Sequence, residues 1–134
     1  MGIFGEAFLG LDQDALAELF GQIAVQAGAI ILPYRAHLED ARRKADGSPV
    51  TDADEASEDY ILTALRSHLP EIPVIAEEEQ AAGIGRSIGA RFILVDPLDG
   101  TREFIGGRAE FAVNIGLIEG GVPVAGAIYA PLLS

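Results

Sequence analysis

Two helices followed by several strands, the last two joined as a hairpin, predict a layered α+β fold for this chain. Three observations carry that prediction. Apolar residues recur at three- and four-residue spacing over about residues 12–32 and 52–69. Apolar runs of strand length follow from residue 72 onward. Glu119-Gly120-Gly121 separates two of those runs by a connection of hairpin length.

The first helix is expected over Asp12 to about Leu32. Leu16, Leu19, Phe20, Ile23, Ala27, Ile30 and Ile31 form its apolar stripe, Asp12 suits an N-cap, and Pro33 marks its end or a kink. Residues 37–50 are charged and close on Asp46-Gly47-Ser48-Pro49, a loop signal. The second helix is expected from about Asp52 to Leu69, with Tyr60, Ile61, Ala64 and Leu65 as its apolar face and Pro70 behind it. Thr51-x-x-Asp54 has the form of a capping box with Asp in place of Glu or Gln. Ile72 to Ala76 reads as a short strand leading into Glu77-Glu78-Glu79. Residues 81–90, with three glycines, read as a mobile loop, and Arg91 to Val95 as a buried strand. Phe111 to Ile118 and Val122 to Tyr129 complete the sheet. No internal repeat, low-complexity tract or domain linker interrupts the chain.

Composition narrows the function. At 134 residues, nearly half of them apolar, the length fits one domain with a core. The absence of Cys rules out disulfides and thiolate metal sites. The N-terminus lacks a basic region followed by an apolar stretch, so it does not read as a signal peptide. The apolar run Ala24 to Pro33 is short of the roughly 18 residues that span a bilayer. The cytoplasm is the default compartment. A net charge of −12, from 9 basic and 21 acidic residues, argues against a duplex nucleic-acid binder. It also sits awkwardly with a polyanionic substrate unless bound cations invert the charge locally; an acidic surface that only aids solubility explains the net charge more simply.

Asp96-Pro97-Leu98-Asp99-Gly100-Thr101, set directly after the apolar run Phe92 to Val95, carries most of the chemistry. Two carboxylates three residues apart, a backbone expected to turn sharply between them, and a hydroxyl just beyond make a compact oxygen-rich group. Hard oxygen ligands suit Mg²⁺, which bridges carboxylates to a substrate phosphate. Asp54, in the first turn of the second helix, and Glu77, after a strand, stand at ends of elements that could deliver them to the same edge. Each also has a plainer reading: Asp54 as a cap, Glu77 to Glu79 as a solvated run, Asp96 and Asp99 as turn formers. Gly83-x-Gly85 lacks the strand-to-helix setting of a nucleotide loop. His37 and His68 lie on polar stretches and carry no assigned role.

Asp96-Pro97-Leu98-Asp99-Gly100-Thr101 resembles the D-P-[IL]-D-G-T signature of the inositol monophosphatase superfamily. Val50-Thr51-Asp52-Ala53-Asp54 is similar to that family's V-T-x-x-D segment. Ile75-Ala76-Glu77-Glu78 is similar to its x-G-E-E segment, with Ala76 in place of the usual Gly. Thr101-Arg102-Glu103-Phe104-Ile105 looks like the T-[KR]-E-F-[IV] version found in 3′(2′),5′-bisphosphate nucleotidases of the bacterial CysQ type. Residues 44–51, Glu110 to Ile115 and Val122 to Pro131 fit the same subfamily.

The resemblance implies a layered αβαβα sugar-phosphatase fold, of which residues 1–134 would be the N-terminal, Mg²⁺-binding portion: two helices on a mainly antiparallel sheet. It implies removal of the 3′-phosphate of adenosine 3′,5′-bisphosphate, giving AMP and phosphate, with two or three Mg²⁺ per site and inhibition by Li⁺. Glu77, Asp96 and the Leu98 carbonyl would hold one Mg²⁺; Asp96 and Asp99 would share a second. Thr101, hydrogen-bonded to Asp54, would position the attacking water. Gly100 and Thr101 backbone N–H groups, with Glu77 and Asp99, would face the substrate phosphate.

A W-D motif with a further metal ligand, and most nucleoside contacts, belong to a C-terminal half expected beyond Ser134. A sheet edge left open after Tyr129 is expected to favour homo-oligomers or association. A peripheral place at the inner face of the plasma membrane is the second option for location. Other readings are a phosphatase of inositol phosphates or other sugar phosphates, a non-catalytic remnant, and an enzyme completed by a second chain.

Overall fold

A computed structural model describes residues 13–36, 41–43, 49–76 and 90–133. Helix α1 (Gln13–Ile31) buries Leu16, Phe20, Ile23, Ala24, Ala27, Gly28 and Ile31, a single stripe at helical spacing. Leu19 and Ile30 are half-buried at its margins. The α-helix ends at Ile31, just before Pro33 as expected, and a 3₁₀ turn follows over Leu32–Ala36. Pro is tolerated in such a first turn, where its missing N–H forfeits no bond. The expected cap, Asp12, lies outside the described residues. Gln13–Ala36 is also long and apolar enough, by length and composition, to cross a membrane, which Ala24 to Pro33 alone did not suggest. Its buried stripe lies instead on the sheet and on the second helix.

The charged stretch after α1 is not all loop. Within it Arg42–Arg43 (β1) and Pro49–Val50 (β2) pair antiparallel. Arg42 ties this hairpin to the second helix, donating to Asp52 at 2.8 Å and lying 3.0 Å from Glu55. The Asp52 hydrogen bond outweighs a smaller loss of solvation and, with Glu55 adding to it, holds the Arg42 pKa above its ordinary value.

Helix α2 (Asp52–His68) starts with the expected capping box: Thr51 Oγ1 accepts from the Ala53 and Asp54 N–H groups, and Asp54 reaches back to the Thr51 N–H. Ile61 and Leu65 are buried as expected; Leu62 joins them, while Tyr60 and Ala64 are half-buried. His68 is exposed, with Nδ1 2.9 Å from the Ala64 carbonyl oxygen, and His37 lies outside the described residues.

The main sheet runs in the order β3 (Val74–Ala76), β4 (Arg91–Asp99), β5 (Ala112–Glu119), β6 (Val122–Tyr129). The β3–β4 pair is parallel and the other two pairs are antiparallel. Gly120 and Gly121 both take positive φ (60° and 82°), the backbone of a two-residue hairpin turn. Ile93, Val95, Val113, Ile115 and Leu117 point to the helices and are buried; the residues between them point to the opposite, open face. Helix α1 lies on β5 and β6, α2 on β3 and β4. At Gly28 a Cβ would stand 2.6 Å from the Tyr129 ring, so this close helix–strand approach needs glycine. Beyond β4 a short helix α3 (Thr101–Ile105) is pinned by Phe104, whose ring meets Phe111 edge-on at 5.1 Å.

Candidate metal centre and active site

The segment Asp96 to Thr101 does not turn sharply between its carboxylates. Strand β4 continues to Asp99, and the register with β5 slips by one residue, from Asp96↔Asn114 to Asp99↔Ala112. The extra residue is a β-bulge, which re-aims side chains without ending the strand. The Leu98 N–H donates back to Asp96 Oδ1 at 3.3 Å across it. Asp96 and Asp99 therefore both reach the open face, where they line a cleft of about 810 Å³ with Asn114 and Gly116.

The chain then reverses at Gly100 (φ 94°), where a Cβ would lie 2.7 Å from the Glu110 carbonyl oxygen. Only glycine fits that left-handed, crowded position. The next residue, Thr101, opens α3 with its hydroxyl turned to α2. Thr101 Oγ1 is 3.0 Å from Asp54 Oδ1 and 3.2 Å from the Leu98 carbonyl oxygen. Asp54 is only 4% exposed. Its other oxygen accepts from the Thr51 N–H at 2.8 Å and the Thr51 hydroxyl at 2.7 Å. The capping box thus orients the carboxylate that Thr101 meets, so capping and site geometry are one arrangement.

Two residues given no role from sequence join the group. Ser57, fully buried and one turn beyond Asp54, donates to the Pro97 carbonyl at 2.8 Å. It therefore holds the bulge onto α2. Its signal in the sequence was its spacing, because i and i+3 share a helix face. Asn114 donates from Nδ2 to Asp99 Oδ2 at 3.2 Å. Its Oδ1 is buried and is the one such side-chain atom without a partner among the described residues.

Of the residues expected at the site, Asp54, Asp96, Leu98, Asp99, Gly100 and Thr101 come together on one end of β4 and the first turn of α2. Glu77, and with it the Glu77 to Glu79 run and Gly83-x-Gly85, lies outside the described residues. Among the described residues no group of three or more His, Cys, Asp or Glu side chains gathers around a point. The donors that do converge are carboxylate and carbonyl oxygens, with an orphaned amide oxygen beside them. That chemistry fits a hard divalent cation and not a soft one.

The sequence profile of the inositol monophosphatase family matches residues 12–134. The chain belongs to the inositol monophosphatase family. It is 51% identical over 114 residues to a protein of Salmonella typhimurium named 3′(2′),5′-bisphosphate nucleotidase CysQ, covering 84% of this chain and 46% of that one. Its fold is similar to CysQ from Bacteroides thetaiotaomicron, described as a bacterial member of the inositol monophosphatase family, with a TM-score of 0.68 and 36% identity over 87% of this chain and 42% of the other. The extragenic suppressor protein SuhB from Bartonella henselae gives a TM-score of 0.72 at 29% identity, over 88% of this chain and 46% of that one. The chain spans about half the length of the curated relatives it matches. Proteins of this family are generally metal-dependent.

Proposed function

We propose that this chain is the N-terminal, Mg²⁺-binding part of a phosphatase that removes the 3′-phosphate of a small nucleoside 3′,5′-bisphosphate, adenosine 3′,5′-bisphosphate in the first instance. The observation that carries the reading is the Asp54–Thr101 contact, 3.0 Å between residues 47 apart in sequence. It joins a proton acceptor and a hydroxyl to the segment that bears the two carboxylates. The bisphosphate-nucleotidase names of the similar proteins and the Thr101-Arg102-Glu103 sequence favour this substrate class over inositol phosphates.

In this reading Glu77, Asp96 and the Leu98 carbonyl would hold one Mg²⁺, and Asp96 with Asp99 would share a second. Bound Mg²⁺ supplies positive charge to phosphate oxygens and makes a water more acidic. The Thr101 oxygen accepts a hydrogen bond from the attacking water while its own proton is directed to Asp54 Oδ1. Asp54 then takes that proton as Thr101 Oγ1 takes one from the water. The two donors from Thr51 hold the carboxylate in place for this transfer. The Gly100 and Thr101 backbone N–H groups and Glu77 face the substrate phosphate. Water attacks phosphorus, the bond to the ribose 3′-oxygen breaks, that oxygen takes a proton from solvent water, and the nucleoside monophosphate and inorganic phosphate leave. No covalent intermediate is needed. The open sheet face, where Ile128 is 78% exposed on β6, is read as an association surface.

Phosphate release from adenosine 3′,5′-bisphosphate and from inositol 1-phosphate, with Mg²⁺ and with or without Li⁺, tests the reading in the protein that carries this chain. Li⁺-sensitive release from the nucleotide, lost in Asp96→Asn, is expected. Preference for inositol 1-phosphate, or near-normal release by Asp96→Asn, would refute it.

A further inference from the structure

We propose that Asn114 is a positioning residue for the cation site: its amide holds Asp99 beside Asp96 so that the two carboxylates serve one cation. The inference rests on the functional reading above. Strand β5 is apolar throughout except for this amide and its terminal Glu119. Asn114 lies on the open face, directly across the β4–β5 ladder from Asp96. It therefore stands between the residue it opposes and the residue it bonds, Asp99 at 3.2 Å.

The bulge explains why such a residue is needed. A regular strand would place residues 96 and 98 on the open face. The one-residue slip brings Asp99 there instead, out on an exposed turn into Gly100. Two like charges brought to one face repel, and an exposed carboxylate has free rotamers. An amide N–H on Asp99 Oδ2 counters both effects. It removes rotamer freedom and offers partial positive charge to one oxygen, leaving the other for a ligand.

The orientation of the amide is set by the same contact, since the reverse would put its carbonyl oxygen against the carboxylate. Oδ1 is then left buried with no partner. A buried acceptor of this kind is costly unless something donates to it. A donor arriving with the cation would meet that need. Partners that orient metal ligands matter about 10–100-fold in metal affinity.

The test is calorimetric titration of Mg²⁺ and Mn²⁺ into the metal-free protein that carries this chain, alongside thermal melts in EDTA. Asn114→Ala and the strand-favouring Asn114→Thr are expected to weaken cation binding about 10-fold or more. Their melting temperatures in EDTA should stay near that of the wild type, and excess Mg²⁺ should restore turnover. In an Asp99→Asn background, Asn114→Ala should add no further loss, because it acts through Asp99. Wild-type affinity in both variants, or full additivity with Asp99→Asn, would overturn the role of Asn114 while leaving the functional reading intact. Failure of both variants to fold would overturn it too, by making Asn114 a structural residue. Failure of the wild-type protein to bind either cation would remove the functional reading, and this inference with it.

Discussion

Thr101→Val isolates the hydroxyl on which the functional reading depends. Valine matches threonine in shape, so no cavity opens and the change is confined to the hydrogen bond. Thr101 has one proton and two acceptors within reach, Asp54 Oδ1 at 3.0 Å and the Leu98 carbonyl oxygen at 3.2 Å. A hydrogen bond to a charged group contributes about 1.5–3 kcal/mol. Asp54 keeps two donors on its other oxygen, and Thr101 is half-exposed, so water can replace part of the loss. The low end, about 1.5 kcal/mol, is therefore expected. With an unfolding entropy of about 2.1 cal/mol/K per residue, 134 residues give about 0.28 kcal/mol/K, so the melting temperature should fall by about 5 °C. Calorimetry on the metal-free chain reads this directly. In the protein that carries this chain, turnover should fall about 10²–10⁴-fold, the range for a lost proton-transfer group. Mg²⁺ affinity should change little. An unaltered melting temperature would refute the hydrogen bond. A large loss of Mg²⁺ affinity with modest loss of turnover would make Thr101 a structural support of the cation site.

Further expectations concern the scaffold. Ser57→Ala leaves the Pro97 carbonyl buried without its donor and should cost about 1–3 kcal/mol, or roughly 4–10 °C by the same conversion, read by thermal melts. Gly100→Ala combines left-handed strain of about 1–2 kcal/mol with a 2.7 Å clash on a backbone oxygen, and overpacking adds about 1–3 kcal/mol; urea unfolding should register a loss of about 2–5 kcal/mol. Arg42→Ala breaks exposed ion pairs to Asp52 and Glu55, and the loss of these should leave the melting temperature nearly unchanged. Mg²⁺ at about 100 times its dissociation constant should stabilise the protein by about 2.7 kcal/mol, and EDTA should reverse the gain.

Much of this arrangement is legible in the residues themselves. Period-3.6 apolar spacing places α1 and α2 within a residue or two, because each buries one stripe. Thr51-x-x-Asp54 announces the start of α2 by its own chemistry, and Gly120-Gly121 fixes the hairpin by backbone freedom alone. What was hidden is long-range. The bulge at Asp96 to Asp99 depends on how β5 pairs with β4, and Asp-Pro followed by Asp-Gly reads locally as a turn. The β1–β2 pairing joins Arg42-Arg43 to Pro49-Val50, pieces of two residues each and too short for apolar alternation to reveal them. Ser57 and Asn114 look like ordinary polar residues until the ladder and the helix face place them against Pro97 and Asp99. The Asp54–Thr101 contact came from the family resemblance and not from spacing, since nothing local links residues 47 apart.

Anomalous diffraction from a Mn²⁺-soaked crystal of the protein that carries this chain tests the central claim most directly. The account predicts at least one strong peak within about 2.0–2.4 Å of carboxylate oxygens of Asp96 and Asp99, lost in Asp96→Asn. A well-occupied Mn²⁺ elsewhere, with both carboxylates bare, would contradict it.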